Sequence, residues 1–172
     1  LSDVKPVNKN PKREVERSIK SIFTQLGYAE VFNYSFASEE DTKFELEDST
    51  ALGIANSMPD EFKFLRTSIY PSILKLIAVN ADRFETVKIF ELGRTYHKLK
   101  ADELADEKRF FGFGVLRNRK SNELAEAEND FLTVRNEIDT LFRLFGFKNI
   151  DLEKASLSYF HPNACVQWKL AG

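Results

Sequence analysis

Three segments of the sequence carry apolar side chains at the spacing of an amphipathic helix, and strand-like segments separate them. The first segment follows Asn10-Pro11, a capping residue and a proline suited to the first helical position, and it precedes Gly27. The second is predicted to start at Pro71 and to reach residue 84. Its inward-facing residues are predicted to be Ile73, Leu74, Ile77, Ala81 and Phe84. The third helix is predicted over residues 130–145, with Gly146 ending it.

Alternation of β-branched or aromatic residues with other residues predicts the strands. The strands are predicted at residues 30–36, 51–55, 86–98, 109–116, 149–157 and 164–171. We expect a short helix within 38–44, a bulge at Gly93 and an exposed charged turn at 99–108. Mainly antiparallel strands with long helices between them predict an α+β domain over residues 11–172, after a linker of residues 1–10.

Composition excludes several classes of protein. The 172 residues include 42% apolar residues and 16 Phe, which is enough for a core and excludes a disordered chain. A net charge of −2 gives no bulk attraction to nucleic acid or to an anionic membrane. The lone Cys165 cannot form an internal disulfide, which favours a reducing, cytoplasmic compartment. The sequence begins without Met, and we expect it to be a piece of a longer protein.

The side chains predict no catalytic or metal site. One Cys and two His far apart cannot supply the clustered ligands that zinc requires. Cys165 lies in an alternating strand pattern, where a buried thiol is the commoner role. The acidic run at 39–41 suits the first turn of a helix, and the basic residues Arg117, Arg119 and Lys120 suit a solvated loop.

Gly112-Phe113-Gly114 resembles the glycine-rich strand before an arginine-bearing helix in class II aminoacyl-tRNA synthetases. The residues after Arg117 lack the apolar periodicity of such a helix. We therefore interpret the two glycines as small residues on the crowded face of a strand.

Four segments, in matching order and spacing, resemble the beta chain of bacterial phenylalanine–tRNA ligase. They are GYAEVFNYSF (27–36), FLRTSIYPSIL (64–74, followed by Asn80 and Arg83), FELGRTY (90–96) and YFHPNAC (159–165). In the last segment Asn163 replaces the usual glycine, and Asn tolerates a left-handed conformation.

The resemblance implies a class II synthetase-like core, a mostly antiparallel sheet flanked by long helices, that does not itself catalyse. It implies a heterotetrameric cytoplasmic enzyme in which an alpha chain uses ATP and Mg²⁺ to attach phenylalanine to its tRNA. The segment itself would hold no cofactor and no metal, and it would dock the alpha chain. A catalytic core needs an arginine on the α-phosphate just after the Gly93-Arg94-Thr95-Tyr96 strand, and His97 stands there.

The matched residues are therefore expected to be structural or to lie at a subunit interface. These candidates are Leu65, Arg66, Pro71, Asn80, Arg83, Phe90, Glu91, Gly93, Arg94, His161 and Pro162. Arg66 is predicted to pair with Glu91 or another acid inside the sheet. Asn80 and Arg83 are predicted to bond carbonyls at the end of the second helix.

Two alternatives remain open from the sequence. One is an active nucleotide-binding core with Arg94, Arg109 and Arg117 around ATP. The other is a regulatory synthetase paralogue that senses an amino acid.

Overall fold

A computed structural model describes residues 9–44, 51–56, 59–98, 105–117, 124–148, 150–157, 159–161 and 164–170. The chain divides into two compact units, Leu1–Arg119 and Lys120–Gly172. The helices are α1 (Pro11–Gln25), α2 (Tyr70–Asn80) and α3 (Leu124–Leu144). The strands are β1 (Ala29–Glu30), β2 (Phe36–Ala37), β3 (Phe64–Leu65), β4 (Thr86–His97), β5 (Asp106–Arg117), β6 (Ile150–Lys154) and β7 (Val166–Leu170).

The first unit is built on a three-stranded sheet in the order β1-β4-β5. Strands β4 and β5 pair antiparallel over twelve residues, from Thr86 opposite Arg117 to His97 opposite Asp106. Strand β1 runs parallel to β4 along its other edge. The register between β4 and β5 is continuous through Gly93, so the predicted bulge there is wrong.

Helix α2 covers one face of this sheet. Ile69 and Ile73 pack with Val87 and Ile89 of β4 in a buried cluster. The helix can approach closely because β5 presents glycines to it: a Cβ on Gly112 would lie 2.6 Å from Ile69 Cδ1. The prediction that the two glycines of this strand lie on its crowded face is confirmed.

Helix α1 covers the opposite face through aromatic packing. The ring of Phe23 lies 4.6 Å from that of Phe111, 5.1 Å from that of Phe113 and 5.7 Å from that of Phe90. Phe23 and Phe90 are fully buried. This aromatic cluster accounts for part of the phenylalanine-rich composition.

Helix α1 begins and ends where its sequence predicts. The Asn10 side chain accepts the amides of Lys12 and Arg13 at 3.1 and 3.4 Å, and Pro11 takes the first helical position. Gly27 has φ of 85°, and the amide of Tyr28 donates to the Phe23 carbonyl at 2.9 Å. This is the Schellman ending that a glycine at this place favours.

The predicted strand at 30–36 is wrong over most of its length. Val31 donates to the Phe90 carbonyl, whereas the Ser35 carbonyl accepts the amide of Arg66. The segment therefore leaves one sheet and joins a second, in which β2 pairs antiparallel with β3. Strand β3 was not predicted.

Other element boundaries also differ from the prediction. The predicted strand at 51–55 is a single bridge at Gly53 to Phe64, and the short helix within 38–44 is a 3₁₀ turn, Asp41–Lys43. Helix α2 ends at Asn80, before Phe84, and Leu74 lies on its exposed face, so the predicted inward positions Leu74 and Phe84 are wrong. These side chains are 51% and 56% exposed.

The second unit consists of α3 and an antiparallel hairpin of β6 and β7. Helix α3 begins six residues before the predicted start. It ends at Gly146, with φ of 85°, in the same Schellman ending as α1, since the Phe147 amide donates to the Phe142 carbonyl at 3.1 Å. Cys165 is a buried free thiol, as predicted.

Candidate functional site

A buried ion pair joins the strand end at Arg66 to the middle of β4. Arg66 Nη2 lies 2.7 Å from Glu91 Oε1, and the two side chains are 4% and 3% exposed. Arg66 Nε donates to the Arg94 carbonyl at 2.9 Å, and Asn33 Nδ2 donates to Glu91 Oε2 at 2.8 Å. The predicted pairing of Arg66 with Glu91 is confirmed, and it holds the guanidinium inside the unit.

Gly93 leaves room for this pair. A Cβ at Gly93 would collide with Arg66 Nη2 and would lie 2.7 Å from Glu91 Oε1. Glycine at this position is therefore explained by the side chains that cross its face, and the strand continues past it without a bulge.

His97 ends β4 as a buried side chain. It is 2% exposed, and its Nε2 lies 2.8 Å from the Thr95 hydroxyl, which is also buried. Its ring lies 6.2 Å from that of Phe110. The position where a catalytic core would need a phosphate-binding arginine therefore holds an imidazole that packs inside the fold.

Three arginines line an open hollow of about 390 Å³ beside the first turn of α1. They are Arg13, Arg94 and Arg109, and the ammonium groups of Lys12 and Lys108 and the carboxylates of Glu16 and Glu107 line the same hollow. We call this the arginine hollow. Its volume would suit a phosphate-bearing group. What it can bind therefore depends on whether carboxylates already bind its guanidinium groups.

Carboxylates bind two of the three guanidinium groups that line the arginine hollow. Arg94 and Arg109 are opposite each other on β4 and β5, an arrangement in which like charges repel. Arg109 binds Glu16 through two contacts of 2.9 and 2.7 Å, and Arg94 binds Glu107 at 2.7 Å. The hydrogen bond from Arg109 lowers the pKa of Glu16 below its usual value. Arg94 and Arg109 therefore each have their own anion.

Arg117 does not reach this hollow. It lies at the other end of β5, opposite Thr86, eight residues from Arg109. At about 3.3 Å per residue this places the two backbones roughly 26 Å apart. Arg94, Arg109 and Arg117 do not surround one ligand, as the nucleotide-binding alternative requires.

A second surface of the first unit exposes aromatic rings. Phe32 and Tyr34 are 79% and 77% exposed, and Phe36 is partly exposed. The ring of Phe62 lies 6.4 Å from that of Tyr34 and 5.8 Å from that of Phe36. We call Phe32, Tyr34, Phe36 and Phe62 the aromatic surface.

The comparison with protein families decides the assignment. A family model described as the phenylalanyl tRNA synthetase beta chain CLM domain matches residues 2–172. The chain belongs to this family. The resemblance drawn from the four sequence segments is therefore confirmed.

Curated relatives agree with this family. The chain is 46% identical over 161 residues to a phenylalanine–tRNA ligase beta subunit from Leptospira biflexa, and 38% identical over 169 residues to that of Leptospira borgpetersenii. The matches cover 92% and 96% of the chain. They cover only 20% and 21% of the relatives, so the chain spans about a fifth of their length.

A solved structure supports the fold class. A pyrrolysyl tRNA synthetase from Desulfitobacterium hafniense superposes with a TM-score of 0.63, over 92% of this chain and 53% of its own. The sequence identity is 15%, so the likeness concerns the fold. The predicted α+β, synthetase-like architecture is confirmed.

Within this family fold, the other candidate residues have structural surroundings. Asn80 Nδ2 donates to the Leu76 carbonyl at 2.8 Å, as predicted. Arg83 instead uses its backbone amide, which donates to the Asn80 carbonyl, while its side chain is exposed. Pro71 is buried in the first turn of α2, and Leu65 is half-buried in β3.

The last matched segment contributes a turn. The His161 carbonyl accepts the Ala164 amide at 3.0 Å, and the His161 side chain is exposed. Pro162 lies outside the described residues, as do Arg119 and Lys120.

Sequence reasoning missed two features of the site. Asn33 holds Glu91 from a segment that was predicted to be a regular strand. The alternation around Asn33 did contain a signal for this first feature, because it places Phe32 and Tyr34 on the face opposite Asn33. The second feature is that the face of Phe32 and Tyr34 is open to solvent, which the pattern alone cannot reveal.

The described residues offer no metal site. Within the ranges that the structure covers, no group of three or more His, Cys, Asp or Glu side chains could hold a metal ion. Asp41 illustrates this, because its carboxylate binds Lys75 at 2.7 Å and the Ser38 hydroxyl at 2.8 Å. None of the described helices is long and apolar enough to cross a membrane.

Proposed function

We propose that the chain is the non-catalytic, synthetase-like core of a phenylalanine–tRNA ligase beta chain, and that it docks the catalytic alpha chain. In this way it supports ATP-dependent attachment of phenylalanine to its tRNA by the whole enzyme. The carrying observation is the loss of a phosphate-binding arginine, since His97 is buried at that position and Arg94 and Arg109 bind carboxylates.

We propose that ATP and Mg²⁺ do not bind in the arginine hollow. A triphosphate would have to displace Glu16 from its two-contact pair with Arg109 and Glu107 from Arg94. The displaced carboxylates would then face the phosphate charge across the same hollow. The ATP and Mg²⁺ of the whole enzyme are accordingly proposed to bind outside the described residues.

The aromatic surface supports the docking role. Exposed contiguous aromatic side chains are costly to leave in water and mark interaction sites, where Tyr and Phe are enriched. Asn33 fixes the segment between Phe32 and Tyr34 to the buried Glu91, so these rings are presented on an anchored backbone. We propose that the alpha chain packs on this surface.

Catalysis is tested by phenylalanine-dependent ATP–pyrophosphate exchange. The chain alone is expected to give no exchange, and the alpha–beta assembly is expected to give it. Exchange by the purified chain that disappears in the variant Arg94→Gln would contradict the non-catalytic assignment.

Docking is tested by size-exclusion chromatography with the alpha chain. The unaltered chain is expected to co-elute, through an interface of more than about 1,000 Å². The double variant Phe32→Ser/Tyr34→Ser is expected to elute separately. Val79→Ser removes another exposed apolar side chain, on α2 and 65% exposed, and should leave the complex intact. If Phe32→Ser/Tyr34→Ser co-eluted with the alpha chain as fully as Val79→Ser does, docking at the aromatic surface would be contradicted.

A cytoplasmic location and a tRNA partner follow from the same proposal. The buried free thiol of Cys165 supports a reducing compartment. The tRNA contact is proposed for the whole enzyme.

A further inference from the structure

The second unit has a hollow that the proposed docking role does not use. It has a volume of about 500 Å³, within the range of about 300–1,000 Å³ typical of small-molecule sites. It is lined by one side of α3, by the turn after that helix and by the β6–β7 hairpin. We call it the α3 hollow.

Cations dominate its charge. Arg135, Asp139 and Arg143 follow one another at four-residue spacing along one side of α3, and Lys148 lies just past the helix. Asp139 accepts the Trp168 indole N–H at 3.0 Å and lies 3.7 Å from Arg135 Nε. Among the residues that the structure describes, neither Arg143 nor Lys148 has an anionic partner.

In the arginine hollow, carboxylates bind Arg94 and Arg109, and Lys12, Arg13 and Lys108 line the same hollow. Asp139, the one acid among the described residues that line the α3 hollow, is already engaged by Trp168 and Arg135. Two cations therefore remain to attract a ligand.

Two half-buried aromatic rings, Phe147 and Trp168, line the same hollow. The ring of Phe142 supports both, at 5.9 Å from Phe147 and 6.4 Å from Trp168. The Schellman ending of α3 sets Phe147 against Phe142, and the bond to Asp139 fixes the indole. The rings are thus held in place before any ligand arrives.

We propose that the α3 hollow binds a nucleotide. Its phosphate would be held by Arg143 and Lys148, and its base would stack against Phe147 or Trp168. Guanidinium and ammonium groups bind phosphate oxygens strongly, and aromatic rings stack on any base. The ligand is either a free nucleotide or one nucleotide of a single-stranded RNA. The site is proposed to bind the nucleotide without any chemical step.

The test uses the fluorescence of Trp168, the single tryptophan of the chain. The chain is titrated with AMP, with UMP and with a single-stranded oligouridylate. Adenosine and inorganic phosphate serve as half-ligands. Saturable quenching by AMP and by UMP assigns the site to free nucleotides, and quenching by the oligouridylate alone assigns it to RNA. Adenosine is expected to bind at least about tenfold more weakly than AMP, because it lacks the charged contacts.

Two variants locate the binding. Arg143→Gln and Lys148→Gln should each weaken the apparent affinity about tenfold. Arg17→Gln removes an exposed cation of α1 and should leave it unchanged. Lys148 lies outside the helix, so its replacement leaves α3 intact. Circular dichroism checks that the Arg143→Gln and Lys148→Gln variants keep their helix content.

Three results would overturn the proposal. One is no quenching by any nucleotide or by RNA at millimolar concentration. Another is equal affinity in Lys148→Gln and Arg17→Gln. The third is equal quenching by polyglutamate, which would show attraction to negative charge without recognition of a nucleotide.

Discussion

The two faces of the β4–β5 ribbon hold their arginines in different ways. On the face toward α2, Arg66 and Glu91 form a pair that is almost fully buried. On the face toward α1, Arg94 and Arg109 pair with Glu107 and Glu16 at partly exposed positions. In both arrangements a carboxylate binds the guanidinium group, but only the buried one is expected to decide whether the unit folds.

The physical reason is solvation. A charge that loses its partner in the interior cannot recover the interaction from water, whereas an exposed one can. The same chemical pair therefore has a structural role on one face and a charge-compensating role on the other.

The largest expected effect comes from removing the buried carboxylate. Glu91→Ala leaves Arg66 charged and buried, and should lower the free energy of unfolding by about 3–5 kcal/mol. Glu107→Ala, on the exposed face, should lower it by about 0–1 kcal/mol. Urea denaturation of both variants measures the difference.

Replacing both buried charges sharpens the same comparison. Arg66→Met/Glu91→Leu should be more stable than Glu91→Ala, since no unpaired charge remains. If Glu91→Ala proves no more damaging than Glu107→Ala, the contrast between the two faces is refuted.

An intermediate effect is expected at Gly93. Gly93→Ala places a methyl group against Arg66 Nη2 and Glu91 Oε1, and overpacking of this kind costs about 1–3 kcal/mol. Gly53→Ala is the control, because its nearest neighbour would be Phe64 Cε1 at 3.9 Å. In thermal or urea unfolding, Gly93→Ala should be less stable than Gly53→Ala. Equal stability of the two variants would argue against crowding at Gly93.

The smallest effect is a pH dependence on the exposed face. The hydrogen bond from Arg109 lowers the pKa of Glu16, so its stabilisation is complete above the unfolded pKa of about 4.3. It is lost as the pH falls through the lower folded pKa. At neutral pH, Glu16→Gln should cost about 0–1 kcal/mol because solvent screens the pair.

The check is the difference in unfolding free energy between the wild type and Glu16→Gln, measured from pH 7 to pH 3. It should shrink as the pH falls. A difference that grew toward acid pH would have the wrong sign for this ion pair.

Local signals explain what the sequence predicts correctly. Asn10, Pro11 and Gly27 specify the ends of α1 through bonds within a few residues of themselves. The aromatic alternation of β5 likewise appears in the sequence, and its glycine face follows from the same period.

Contacts between distant segments explain what it misses. The chain leaves its strand after Glu30 because Ser35 pairs with Arg66, thirty-one positions away. Gly93 is needed to make room for the side chain of Arg66, which is distant in sequence, and no local pattern encodes this contact. Phe32 and Tyr34 have the composition of core residues, and only the fold shows that their face is open. The α3 hollow likewise joins residues of a helix and of a hairpin that are far apart in sequence.

The central claim is that the guanidinium groups of the β4–β5 ribbon are not available to a triphosphate. It is tested most directly by calorimetric titration of the chain with ATP and Mg²⁺, in the variant Arg143→Gln/Lys148→Gln so that the α3 hollow does not contribute. The expected result is no heat beyond dilution. Saturable binding that is abolished by adding Arg94→Gln and Arg109→Gln would contradict the account.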